Sequence, residues 1–212
     1  MAAWRAAWMG MAMLALAGIA SAVSADVVRA GGGGIVFSSH CDGFVGKVPD
    51  GWVLDTRAAA SQGVDMLLYP DGADPSDLNA LQVYTYVMPS VKRVAGQQDD
   101  LSVDILEGDA LADYRKHDPA ATLQSLAWAD PVPRSARRIQ LYDLQAPRMR
   151  KHERIAYVEN EAVIFAVALS ATSPALLEQH ADVVQSIASS GLILTGSRKD
   201  GRCMLPENAG AR

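Results

Sequence analysis

Four histidines, two cysteines, six tyrosines and a short run of basic residues are the groups in this 212-residue chain that could do chemistry. His40, His117, His152 and His180 form no His-x-x-x-His or His-Glu-x-x-His pattern, and there is no Cys-x-x-Cys. The spacings of a zinc site are therefore missing, and neither a metal nor a cofactor is expected. A Gly-x-Ser-x-Gly elbow is also missing, and no Gly-x-Gly-x-x-Gly follows a strand. No catalytic residue is assigned. Because triads assemble in space, a hydrolase with a distant serine and histidine stays open as an alternative.

Two sets of residues could bind rather than react. Tyr69, Tyr84, Tyr86, Tyr142 and Tyr157 all fall on expected strands. Clustered, and joined by His180, they could floor an aromatic cleft for a small molecule or lipid. The plainer reading is a packed sheet face beneath a helix. His180 falls on the apolar stripe of an expected helix, where a histidine bonded to backbone in the core is the commoner case. Arg148, Arg150, Lys151 and Arg154 form a basic cluster that could hold an anion. The competing reading is a solvated turn with cross-strand ion pairs to acids such as Asp143 or Glu159. The acidic loop Asp71–Asp77 invites calcium, but its spacing does not match the EF-hand and Pro75 interrupts it. Aspartates at turns explain it better.

The ends of the chain point to its compartment. Arg5 is the only charged side chain before Asp26; an apolar run, 6–20, and the small residues Ser21-Ala22-Val23-Ser24-Ala25 follow. This order is that of a secretory signal peptide, with cleavage expected after Ala25. The run is short for a span, which needs roughly 20 apolar residues; retention as an N-terminal anchor is the alternative. Without Arg5 the chain keeps 19 − 1 = 18 basic and 24 acidic residues, a net of 18 − 24 = −6. That balance disfavours nucleic acid and anionic membrane surfaces as partners. It suits a periplasmic or secreted protein with no stable membrane span after cleavage. In such a compartment Cys41 and Cys203 are expected to form a disulfide closing a loop of about 160 residues, worth roughly 5 kcal/mol at most. A reactive Cys41 between His40 and Asp42 is the alternative, but neighbours in an extended segment point to opposite faces.

The elements that must position these groups follow from periodicity. Gly31–Gly34 makes 26–40 a Gly-rich flexible segment, and the domain spans 41–194 with 195–212 as a tail. Strands are expected at 44–48 and 52–56, joined as a hairpin by Pro49-Asp50-Gly51. A small-residue loop, 58–63, follows, then strands at 64–69, 80–88, 123–128 and 138–144. The densest signal is 153–190. A strand at 154–158, the turn Glu159-Asn160-Glu161 and a fully apolar strand at 162–169 precede a helix from Ser173-Pro174 to about Ser190. A short strand is expected at 192–195. Asp99–His117 reads as another helix, with a stripe of Val103, Leu106, Ala110 and Tyr114. The whole is an α+β domain: a mostly antiparallel sheet of about six to eight strands with helices packed on it.

A resemblance can be stated on particular residues. Gly51-Trp52-Val53-Leu54-Asp55, Gln62-Gly63 and Leu68-Tyr69-Pro70-Asp71-Gly72 resemble a group of small exported bacterial proteins of uncharacterised function. So do Glu153, Ile155-Ala156-Tyr157-Val158-Glu159 and Leu169-Ser170-Ala171. More remotely, the order of elements is similar to the Mog1/PsbP-like α/β/α sandwich. The resemblance covers about 44–190 and implies a fold. The remote relatives include a photosystem accessory protein and a small-GTPase partner, which act by contact rather than catalysis. The expectation is therefore a non-catalytic binding or accessory protein of the bacterial cell envelope, with another envelope protein as partner.

Overall fold

The computed structural model describes residues 27–29, 34–39, 42–73, 80–89, 101–160, 163–194, 197–199 and 202–204. The expected signal peptide, His40, Cys41 and residues 74–77 of the acidic loop lie outside them. Eight strands form one sheet, in the order β1 (Val27–Arg29), β4 (Trp52–Asp55), β5 (Met66–Pro70), β6 (Leu81–Pro89), β10 (Val163–Ala171), β9 (Lys151–Glu159), β8 (Arg138–Ala146) and β7 (Thr122–Leu126). Every pairing is antiparallel. A second sheet joins β11 (Leu192–Leu194), β3 (Asp42–Lys47) and β2 (Gly34–Ser39), and β12 (Ser197–Lys199) pairs with β13 (Arg202–Met204). Strands β1 and β2 thus lie within the segment read as a flexible spacer, and β12–β13 within the tail.

The main sheet is covered on both faces, as its apolar strands require. All nine residues of β10 are buried. On one face Val163, Phe165, Val167 and Leu169 pack with Val83, Ala156, Val158 and Leu141 beneath α3 (Pro174–Gln179) and α4 (Ala181–Ser190). On the other, Ile164, Ala166 and Ala168 pack with Tyr142, Leu144, Ile155 and Tyr157. Here α1 (Thr56–Gln62) and α2 (Leu101–His117) supply the cover, through Ala59 and Tyr114. The result is a three-layer α/β/α arrangement.

Three expectations are corrected. The turn at Pro49-Asp50-Gly51 forms, with Trp52 N donating to Pro49 O at 3.1 Å and Gly51 at φ 76°, but it does not close a hairpin. β3 pairs with β2 and β11, whereas β4 pairs with β1 and β5, so the turn carries the chain between two sheets. The expected loop at 58–63 is helix α1: alanines favour helix, Asp55 caps its start by accepting from Ala58 N at 2.8 Å, and Gly63 ends it at φ 70°. The single helix expected to Ser190 is broken at His180, whose φ −119° and ψ 15° are not helical. Ser173 still caps its start. The break turns the His180 ring edge-on to Trp52, 5.9 Å away, on the face opposite the tyrosines.

Candidate functional site

Strand alternation builds the polar part of the tyrosine face. In β9 it places Lys151, Glu153, Ile155 and Tyr157 on one side, and in β6 Gln82, Tyr84 and Tyr86 join them. Glu153 is fully buried, so its charge needs partners. Its two oxygens accept from Tyr84 Oη and Tyr114 Oη, each at 2.6 Å, and Lys151 Nζ lies 2.9 Å from Oε1. The ammonium also sits 5.7 Å and 5.3 Å from the ring centres of Tyr84 and Tyr114. Tyr114 belongs to α2, so this cluster fastens the helix to the sheet. Burial raises the hydroxyls of Tyr84 and Tyr114 well above the usual tyrosine range, and the Glu153 carboxylate adds to the effect. Tyr86 is raised by burial first, then by Tyr157, with which it shares a hydrogen bond.

The expected tyrosine set divides. Tyr84, Tyr86, Tyr142 and Tyr157 do come together: Tyr84 stacks on Tyr86 at 6.2 Å and Tyr142 meets Tyr157 edge-on at 5.8 Å. They are packed side by side as the face beneath the helix, with Tyr142 fully buried. Tyr69 stands in a neighbouring cluster with Val53, Ala59 and Leu67, its hydroxyl donating to Asp55 at 3.1 Å. His180 is on the other face altogether.

The basic set divides as well. Arg154 points to the face of α3 and α4, where it makes a two-pronged pair with Asp143 at 2.7 and 2.8 Å and reaches Glu178 at 3.0 Å. The hydrogen bonds its guanidinium donates to Asp143 raise it above its usual range. This is the cross-strand pairing the sequence favoured, and it takes Arg154 out of any anion site. Glu159 pairs instead with Arg138 at 3.1 Å. Lys151 is held by Glu153. Arg148 and Arg150 sit in and after the 3-10 turn Pro147–Met149 and are exposed. That turn is fixed from below: buried Asp118, just past α2, accepts from Arg148 N at 2.7 Å and from Ala120 N at 3.0 Å.

Beside the turn lies a cleft of about 560 Å3, lined by Ala80, Gln82, Met149, Arg150, Lys151, Ser170, Ala171 and Thr172. Gln82 and Ser170, directly opposite each other on β6 and β10, make its polar floor, with buried Glu153 the next residue of the same row on β9. Thr172 N donating to Ala80 O at 3.1 Å closes one wall. Glu153 and Ser170 enter the sequence reading only through the resemblance, and neither they nor Gln82 are among its candidate site residues. The available signal was alternation, since a strand begun at Lys151 puts Glu153 on the face of Tyr157. Among the described residues no group of histidine, cysteine and acidic side chains could hold a metal, and no histidine side chain is hydrogen-bonded to a serine or aspartate. No helix among them is long and apolar enough to cross a membrane.

No family model and no curated protein matches the chain. Among solved structures it is similar to cyanobacterial PsbP (CyanoP) from Synechocystis sp. PCC 6803. The identity is 11%, the match covers 82% of this chain and 97% of that one, and the TM-score is 0.44.

Proposed function

We propose that the protein is an exported, non-catalytic binding or accessory protein of the bacterial cell envelope. The observation that carries the reading is the division of labour among its charged groups. Those on the helix-covered faces serve one another: Glu153 takes Tyr84, Tyr114 and Lys151, and Arg154 takes Asp143 and Glu178. Such networks hold elements together. The cleft beside the 3-10 turn is instead open and carries Arg150, outside those networks, on a rim held by Asp118, which suits binding. The signal-peptide pattern of residues 1–25 supports export, and export supports a Cys41–Cys203 disulfide. A small-molecule carrier is the second reading. The cleft favours it, in a different place from the aromatic floor expected from sequence.

The test is recovery of tagged protein from native envelopes after mild crosslinking. It should appear in the periplasmic or secreted fraction, shortened by residues 1–25, with a reproducible protein partner. Full-length protein in the cytosol would sink the export reading. Absence of any partner under several extraction conditions would sink the accessory reading.

A further inference from the structure

We propose that the cleft formed by β6, β10, the start of β9 and the 3-10 turn binds a small soluble oxyanion. The carboxylate or phosphate of the ligand would sit on Arg150 and Lys151, and its hydroxyl or amide groups on Ser170 and Gln82.

Four observations converge on this chemistry. The volume, about 560 Å3, falls in the range of roughly 300–1,000 Å3 typical of small-molecule sites. Among the described residues that line it, the charged side chains are Arg150 and Lys151, and none is acidic. Lys151 is balanced by Glu153 beneath it, whereas Arg150 has no acidic partner among the described residues. The site therefore offers an uncompensated positive charge, and a guanidinium fork matches the geometry of a carboxylate or phosphate.

The floor adds hydrogen-bonding groups to that charge. Gln82 and Ser170 face each other across β6 and β10, in a sheet whose next rows are Tyr84–Ala168 and Tyr86–Ala166. Gln82 Oε1 is buried with no hydrogen-bond partner among the described residues. A buried acceptor left in that state is unfavourable, and rotating the terminal amide turns one of its polar ends toward a ligand. The backbone gives the fourth observation. Arg150 has φ 51°, the left-handed conformation that glycine or asparagine adopts at less cost, and is the only non-glycine in that state among the described residues. Its place in the turn sets the guanidinium on the rim, while Asp118 holds the turn from the other side.

The source of the oxyanion follows from net charge. A chain at −6 after loss of Arg5 meets many like charges at once on an anionic bilayer and only a few on a small soluble anion, so the whole-molecule field opposes the bilayer more. The inference rests on the binding reading above but fails separately from it: a protein that captures an envelope partner yet ignores both probes below loses the oxyanion site alone.

The experiment is calorimetric titration of the exported protein, at about 0.15 M ionic strength, with citrate and with inorganic phosphate. Vesicles of phosphatidylglycerol form a third arm. Saturable one-site binding of at least one soluble probe is expected. Arg150→Gln should weaken it roughly ten-fold, as loss of a charge-assisted contact does. Ser170→Ala should weaken it by a smaller factor. Arg148→Gln removes the same charge from the same turn but not from the cleft lining, and should leave affinity within about two-fold. Arg150 and Arg148 are exposed, so both variants should keep the parent Tm. No saturable binding of either soluble probe overturns the proposal. Equal weakening by Arg148→Gln and Arg150→Gln overturns it too, because the attraction would then be diffuse. Binding to vesicles alone, lost in Arg150→Gln, overturns the soluble ligand in favour of a lipid headgroup.

Discussion

At the scale of single residues, Glu153 carries the most consequence. A fully buried carboxylate is tolerated because two phenols and an ammonium converge on it. Removing it strands all three. Glu153→Ala should cost about 3–5 kcal/mol, the range for breaking a buried charge pair from one side. Glu153→Gln keeps the shape and one acceptor, and should cost less, about 1–3 kcal/mol. Urea denaturation of the three proteins checks the order; an alanine variant within about 0.5 kcal/mol of the parent would mean the cluster is not holding α2 to the sheet. From sequence, Glu153 looked like the residue before a strand. Its role depends on Tyr84 and Tyr114, which lie 69 and 39 positions away, and periodicity within one strand carries no such information. Arg154 was easier to place because its partner Asp143 lies on the adjacent strand of a hairpin.

Between elements, the alanines of β10 have a different purpose from the one their size suggests. Ala166 and Ala168 look like room for a close helix. They are instead room for the rings of the flanking strands. Ala166 lies between Tyr86 and Tyr157, which hydrogen-bond to each other, and Ala168 lies beside Tyr84. Ala166→Leu should therefore overpack the face and cost about 1–3 kcal/mol. Tyr86→Phe, which loses only the hydroxyl, should cost about 1 kcal/mol. Equal stability of Ala166→Leu and the parent in the same denaturation series would contradict this packing. Strand positions were legible because their alternation or unbroken apolarity is local, as in β6 and β10. Partners were not. The turn at Gly51 has the residues of a hairpin, but the competing pairings of β4 with β1 and β5 occupy both its edges. Helix α1 is hard to read from sequence because Ala58–Ala60 is short and lacks an apolar stripe, while its N-cap, Asp55, falls on an expected strand and its C-cap, Gly63, ends the expected loop like any turn glycine.

At the scale of the whole molecule, the second sheet joins the two ends of the domain, and this bears on the cysteines. Leu194 is paired with Gly43 across β11 and β3. Cys41 precedes Gly43 by 43 − 41 = 2 residues, and Arg198 follows Leu194 by 198 − 194 = 4. Cys203 lies directly across the β12–β13 ladder from Arg198. An extended chain covers roughly 3.3–3.6 Å per residue and paired strands lie about 5 Å apart, so this path bounds the separation of the two cysteines at about 30 Å despite their distance in sequence. An oxidising compartment would favour a bond between cysteines so tethered. Denatured, unreduced exported protein should therefore show no titratable thiol. Cys41→Ser should lower stability by about 2–5 kcal/mol, the usual loss for a native disulfide. The decisive comparison is a cycle. Cys203→Ser should cost the same, and the double variant no more than either single one, because each change removes the same bond. Two reactive thiols in the parent, or additive losses in the double variant, would show that the ends are joined by the β3–β11 pairing alone.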